Sequence, residues 1–310
     1  MKNVRLVKFK PQRTFGIEME WNSSLDRQAM KRIVEGFPNQ RANVTSYQRN
    51  DDATRWFCKA DASCGHEVAT KVLGSLTSVQ QTLDDLKLAC DVHKALYDAG
   101  ARVSDTCGGH VHVGMGNLSE EQVDRFLMYW IKMEKVILDI MPRRRVNNQY
   151  CMPHSNFFNA GTGYNREVLR RGFSSRAAVN LGHYSSGSSD SDRRVIEIRI
   201  GEASNDYRHM KNWVRFVLYF IELVKDLPNP TNVNWYTLEE ALEMLELTNK
   251  PTAEEFLVLS PAINELREWI LARTAAYAKF RDARNLRARA KKMLAELHPK
   301  AEEISAERLP

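Results

Sequence analysis

The chain has 310 residues, 43% of them apolar and 27% charged, with a formal net charge of +6. This is ordinary globular composition, with enough chain for a sizeable core and for one or two domains. No apolar run reaches the length of about 18 residues that a membrane span needs, and the first eight residues hold no signal-peptide core, so neither a membrane span nor export is expected.

The five cysteines, at 58, 64, 90, 107 and 151, are odd in number and form no CxxC pair. They read as free thiols in a reducing cytoplasm, not as a disulfide frame or a zinc ribbon.

In chain order, residues 13–21 alternate: Phe15, Ile17, Met19 and Trp21 share one face of an extended strand, and Gly16, Glu18 and Glu20 the other. Ser24 reads as the N-cap of a helix over 25–36, ended by Gly36-Phe37-Pro38-Asn39. Residues 43–58 predict two strands about a turn at Asn50-Asp51-Asp52, followed by Asp61, Ser63, Gly65 and Glu67. Residues 78–99 predict a helix with Val79, Leu83, Leu86, Cys90, His93 and Tyr97 as its stripe, Ser78 starting it and Gly100 ending it.

A strand at 101–104 is expected to lead into Thr106-Cys107-Gly108-Gly109-His110-Val111-His112-Val113-Gly114, where both imidazoles share one face and both valines the other. Ser119-Glu120-Glu121-Gln122 is a capping box that opens a helix through Met141, stopped by Pro142. Arg143, Arg144 and Arg145 read as a solvated helix end, 146–175 as mostly loop, 176–183 as a strand with Asn180 on its polar face, and 185–192 as a loop. Arg143, Arg144, Arg145, Arg166, Arg170, Arg171 and Arg176 are also candidates to receive an acidic substrate or phosphates. In 195–200, Ile196, Ile198 and Ile200 face one way, Glu197 and Arg199 the other.

From Asn205 the pattern is helical to the end. It comprises a helix over 206–226, two capping boxes at Thr237–Glu240 and Thr252–Glu255, and a long helix over 262–297. Residues 270–310 hold ten Lys/Arg and five Asp/Glu, so the basic excess (10 − 5 = +5) is largely a property of this tail.

Three strands thus carry charged or metal-capable residues on one face: Glu18 with Glu20, His110 with His112, and Glu197 with Arg199. The opposite faces are apolar, as in an antiparallel sheet covered on one side. Residues two apart on a strand lie about 6.5 to 7 Å apart, close enough for two carboxylates to share cations. Each signal has an ordinary reading: a solvated face for Glu18 and Glu20, a surface ion pair for Glu197 and Arg199, a turn for Asp61 and Glu67. Their convergence points instead to a site. Oxygen-rich donors with few imidazoles suit Mg²⁺ or Mn²⁺ better than zinc, and an arginine beside a carboxylate suits a phosphoryl group.

The set Phe15–Glu20, Asp61 with Gly65-His66-Glu67, Thr106–Val113, and Ala178–Leu181 before Ile196–Arg199 resembles the amidoligase family of carboxylate–amine ligases, which shares the fold of glutamine synthetase and glutamate–cysteine ligase. The resemblance implies an α+β fold: a curved antiparallel sheet with helices on its convex face and an active site on its concave face. On this reading residues 1–228 form the catalytic domain and 229–310 a helical extension.

It also implies ATP and Mg²⁺ (or Mn²⁺) as cofactors, an acyl-phosphate intermediate, and as partners a small-molecule or peptide carboxylate and an amine donor. By position Glu18, Glu20, Asp61, Glu67, Glu197 and His110 or His112 match metal ligands, and Arg199 the arginine that steadies the transferred phosphate. Asn180 and Arg176 are assigned to cofactor binding. Two other readings are a zinc-dependent hydrolase using His110, His112 and a carboxylate, and a non-catalytic nucleic-acid-binding protein acting through the basic tail. Sparse aromatic interleaving there, Tyr277 and Phe280, weakens the latter.

Overall fold

The strand alternation read from the sequence builds the centre of a mixed α+β fold, identified here in a computed structural model. It describes residues 3–46, 52–146, 148–154, 176–182, 184, 194–232, 234–247, 255–277, 288 and 290–294. The strands are β1 (Asn3–Val7), β2 (Thr14–Trp21), β3 (Ala42–Val44), β4 (Trp56–Asp61), β5 (Gly65–Ala69), β6 (Leu73–Gly74), β7 (Gly109–Gly114), β8 (Val179–Asn180), β9 (Val195–Ile198) and β10 (Glu255–Leu259). The helices are α1 (Arg27–Glu35), α2 (Val79–Asp98), α3 (Glu120–Asp139), α4 (Arg143–Val146), α5 (Tyr207–Val224), α6 (Leu238–Met244) and α7 (Pro261–Tyr277).

Eight strands form one sheet in the order β3-β4-β5-β2-β7-β9-β8, with β6 also paired to β2. Every pairing is antiparallel except β3 with β4. The wholly antiparallel sheet expected from sequence is therefore corrected to a mixed one. The hairpin expected near Asn50-Asp51-Asp52 does not form between these strands, because residues 45–55 are a long enough connection to return the chain parallel. Asn50 and Asp51 lie outside the described residues.

Beneath β2 and β7 the apolar residues Ile17, Met19 and Val111 surround one small space together with His93 of α2 and Met210, Trp213 and Val214 of α5. Those two helices thus pack on the apolar face, and Phe15, Ile17, Met19, Trp21, Val111 and Val113 are buried. Burial of a large apolar side chain is worth about 1.5–3 kcal/mol, which fixes the strand register: a slip of one residue would put the glutamates into this core.

Local signals decide the helix ends. Ser119 with Gln122 and Thr237 with Glu240 form the expected capping boxes. The first helix is capped by Asp26, not Ser24: the Asp26 carboxylate accepts from Ala29 N at 2.7 Å. After α2, Gly100 takes φ +108° and Ala101 N donates to Leu96 O, so residues 101–104 close the helix and form no strand.

Thr252, where a further capping box was expected, lies outside the described residues, and no helix follows it directly. Glu255–Leu259 is extended and pairs in parallel with β1, so the chain is not helical to its end. A short apolar run stopped by Pro261 suits a strand once a partner edge is present. The helix expected over 262–297 is described as α7 through Tyr277. Most of its remainder, the expected loops in 155–175 and 185–192, and Phe280 lie outside the described residues, and the strand expected over 176–183 shortens to β8.

His93 ties α2 to the sheet. Its ring lies 4.9 Å from the Trp21 ring, and its Nε2 donates to Ser204 O at 2.7 Å. Burial holds the imidazole down to about 4, against the pull of the Ser204 carbonyl. The unfolded chain, with a His pKa near 6.5, then binds more protons between pH 6.5 and 4, so stability is full above pH 6.5 and falls as the medium acidifies. Unfolding titrations at pH 7 and 5 are expected to show wild type losing ~2 kcal/mol more than His93→Gln. Equal losses would place the acid sensitivity elsewhere.

Candidate active site

The polar face of the sheet is assembled by register. Glu18 lies opposite His110, Gly16 opposite His112, and Glu20 opposite Glu67. Glu67 also lies opposite Lys59, and Glu197 lies opposite both His112 and Asn180. Directly opposed side chains on an antiparallel pair touch, so six strands, β2, β4, β5, β7, β8 and β9, bring one set of groups together.

His110 Nδ1 is 3.4 Å from Glu197 Oε1 and 3.6 Å from Glu18 Oε2, and its Nε2 is 3.6 Å from Glu20 Oε1. His112 Nε2 is 3.3 Å from Glu18 Oε2. Arg199 Nη1 donates to Glu197 Oε1 at 2.5 Å, and its Nε to Tyr150 O at 3.1 Å. Asn180 Nδ2 donates to Glu197 Oε2 at 2.7 Å, so Asn180 orients a carboxylate of the cluster.

Asp61 stands at the margin. Its Oδ1 accepts from Ser63 N, Ser63 Oγ and Cys64 N, the turn geometry that is its ordinary reading. Arg176 is exposed where the chain approaches β8. Arg166, Arg170 and Arg171, other candidates for an acidic substrate, lie outside the described residues.

Lys59 was not singled out from sequence. Its Nζ donates to Glu67 Oε1 at 2.8 Å and to Glu18 Oε1 at 3.3 Å. The available signal was weak: in Trp56-Phe57-Cys58-Lys59-Ala60-Asp61, Lys59 shares a face with Asp61, but Phe57 on that face is buried too.

The acids answer this setting differently. Burial opposes the charge of Glu18, yet His112, His110 and Lys59 outweigh it and hold the carboxyl well below the usual range. Glu197 is likewise lowered against its burial, by His110, His112 and Arg199. Burial and then the Glu18 charge push Glu67 up to about 7, against Lys59. His112 is raised despite burial, by Glu18 and Glu197.

The residues fit a cation. Glu18, His112 and Glu197 each offer a ligand atom within 4.8 Å of the others, and so do Glu20, Asp61 and Cys64. Among the described residues, buried His110 Nδ1 has no hydrogen-bond partner, and it faces two carboxylates. All five cysteines are free and buried, so Cys107 sits in packing rather than at an open site.

The glycines before β7 make room. A Cβ on Gly108 would lie 2.7 Å from His110 Nε2 and 2.9 Å from Arg145 Nη2. With that close approach, Gly108 N donates to Glu20 Oε2 at 2.5 Å.

Of the three arginines read as solvated, Arg143 is exposed, whereas Arg144 and Arg145, behind this loop, prove structural. Arg145 is buried and donates to Arg199 O at 2.5 Å, and Arg144 donates to Glu202 Oε2 at 3.0 Å. Arg273 of α7, which the sequence placed among the tail charges, is buried and donates to Glu202 and to Ile140 O. Gly108→Ala is expected to cost ~1–3 kcal/mol, seen as a lower denaturant midpoint. An unchanged midpoint would show that the loop yields without displacing the His110 ring.

None of the curated proteins matches the sequence. Among solved structures the chain is similar to the complex between the prokaryotic ubiquitin-like protein Pup and its ligase PafA, at 16% identity and a TM-score of 0.34. The match covers 96% of this chain and 66% of that one. At this likeness, fold and chemistry rest on the chain's own residues. Among the described residues no helix is long and apolar enough to cross a membrane. Residues 11–160 match the family model described as "Putative amidoligase enzyme". The segment that supplies Glu18, Glu20, Lys59, Asp61, Glu67, His110 and His112 is the one that matches the amidoligase family.

Proposed function

We propose that the chain is an ATP- and Mg²⁺-dependent carboxylate–amine ligase. ATP phosphorylates a carboxylate, with ADP leaving; an amine then attacks the acyl phosphate, and phosphate leaves as the amide forms. The observation that carries this reading is the row Glu67, Glu18, Glu20, His110, His112 and Glu197 gathered on one sheet face with Arg199 held beside Glu197.

Glu18, His112 and Glu197 would hold a divalent ion, with Glu20, Asp61 and His110 around them, while Glu67, also expected as a ligand, is paired with Lys59. A bound Mg²⁺ supplies charge neutralisation for the transferring phosphoryl group. The chain's own part is positioning. Arg199, fixed by Glu197 and Tyr150 O, presents a guanidinium to phosphate oxygens, and Asn180 keeps Glu197 in orientation. Arg176 is an exposed position from which a cation could meet the nucleotide. The substrates are a small-molecule or peptide carboxylate and an amine donor. Residues 1–228 are proposed as the catalytic unit and 229–310 as its extension.

The ligand triad holds one imidazole and two carboxylates, a harder donor set than zinc enzymes generally use. The test incubates the purified chain with ATP, Mg²⁺ and pooled amino acids or peptides, and follows ADP. Glu197→Gln is expected to lower turnover ~100-fold or more, and Asn180→Ala ~10- to 100-fold. Absence of nucleotide binding with any divalent ion, or one tightly held zinc per purified chain, would instead support the hydrolase.

A further inference from the structure

We propose that Lys59 is a tethered cation that takes one cation position in the acidic cluster, so that Glu18 gives one carboxylate oxygen to an ammonium and the other to the divalent ion. This rests on the ion-binding reading above and assigns a role to a residue that reading does not use. Glu18 is the divided group: Oε1 meets Lys59 Nζ at 3.3 Å, whereas Oε2 faces His112 Nε2 at 3.3 Å and His110 Nδ1 at 3.6 Å.

Glu67, directly opposite Lys59 in the sheet, accepts from the same ammonium at 2.8 Å. Side-chain exposures of 14% for Lys59 and 12% for Glu67 mark a pair built into the fold rather than a strand lysine in solvent. Burial works against the ammonium's charge, but Glu18 and Glu67 raise its pKa regardless.

An ammonium brings three donors and no ligand atom, so it neutralises carboxylates without coordinating anything. The other two members of the triad, His112 on β7 and Glu197 on β9, lie on the opposite side of β2 from Lys59 on β4. The cluster is thus divided between a permanent cation at the β4–β5 end and an exchangeable one at the β7–β9 end. Removing the ammonium exposes Glu67 and Glu18 Oε1 as an additional pair of oxygen donors for a divalent ion.

The experiment titrates full-length protein with Mn²⁺, following free Mn²⁺ by electron paramagnetic resonance, with melting temperatures measured with and without the ion. Lys59→Met is expected to bind one more Mn²⁺ per chain than wild type, to melt lower without metal, and to gain more from Mn²⁺. Lys59→Arg, which keeps the charge, and Lys59→Met with Glu67→Gln, which removes both partners, are each expected to return to the wild-type number.

A folded Lys59→Met with unchanged stoichiometry overturns the proposal, and so does an unfolded one that Mn²⁺ does not recover. Glu197→Gln separates this from the site reading. If wild type binds no Mn²⁺, or binds it unchanged in Glu197→Gln, the ion site itself is wrong and the proposal falls with it. If only the Lys59→Met gain is missing, the ion site stands.

Discussion

Four carboxylates crowd one face of a β-sheet whose other face is packed core, and the molecule is arranged around that crowding. Two such groups about 4 Å apart repel by roughly 4 kcal/mol at an effective dielectric of about 20. The apolar residues below prevent the strand from turning over to relieve this. The fold answers with nitrogen groups placed by register: the Lys59 ammonium across from Glu67, the His110 ring across from Glu18, and the His112 ring across from Glu197. The acids consequently separate in behaviour. Glu18 and Glu197 are held below the usual carboxylate range, while burial and the Glu18 charge push Glu67 up to about 7.

The rest of the chain holds this row in position. Gly109 N donates to Gly201 O and Gly108 bridges to Glu202, which joins the start of β7 to the segment after β9. Glu202 then gathers Arg144, Arg273 and His209, drawing α7 and the turn after α3 onto the back of the loop. Buried ion pairs contribute little net stability, but losing one partner strands the other. Their value here is registration: Gly108 can approach His110 closely only while Arg145 and the Glu202 cluster keep the loop where it is.

The polar sheet face that carries the candidate site was legible where one physical signal dominated. Period-two alternation in Phe15–Trp21, His110–Val113 and Ile196–Ile200 identifies both the strands and the polar face, because one face is fully buried and the other carries charge. The capping boxes at Ser119 and Thr237 are local and were read correctly. What escaped depends on partners distant in sequence. Lys59 looks like an ordinary strand lysine until β5 places Glu67 beside it. Arg145 and Arg273 look like surface charge until Arg199 O and Glu202 receive them. β10 has no alternation and acquires its identity only from the free edge of β1. A parallel β3–β4 pair is equally invisible locally, since the hairpin and the crossover begin with the same turn residues.

Across the sheet the charges run in a definite order. Lys59 stands on β4, acids on β5 and β2, imidazoles on β7, and a final acid with Arg199 on and just past β9. An acidic row closed at both ends by fixed cations differs from an acidic patch open to solvent. Lys59 meets Glu67 and Glu18 Oε1 at one end and Arg199 meets Glu197 at the other, so the middle of the row is Glu18 Oε2 beside the two histidines. A divalent ion held there has anions on the protein side, and Arg199 stands at the edge of the same cluster. A group arriving with its own negative charge would meet the ion and that guanidinium together. A neutral substrate, such as the amide or ester of a hydrolase, would gain nothing from the Arg199 end. That asymmetry, more than the identity of any single ligand, supports the proposed transfer of a phosphoryl group.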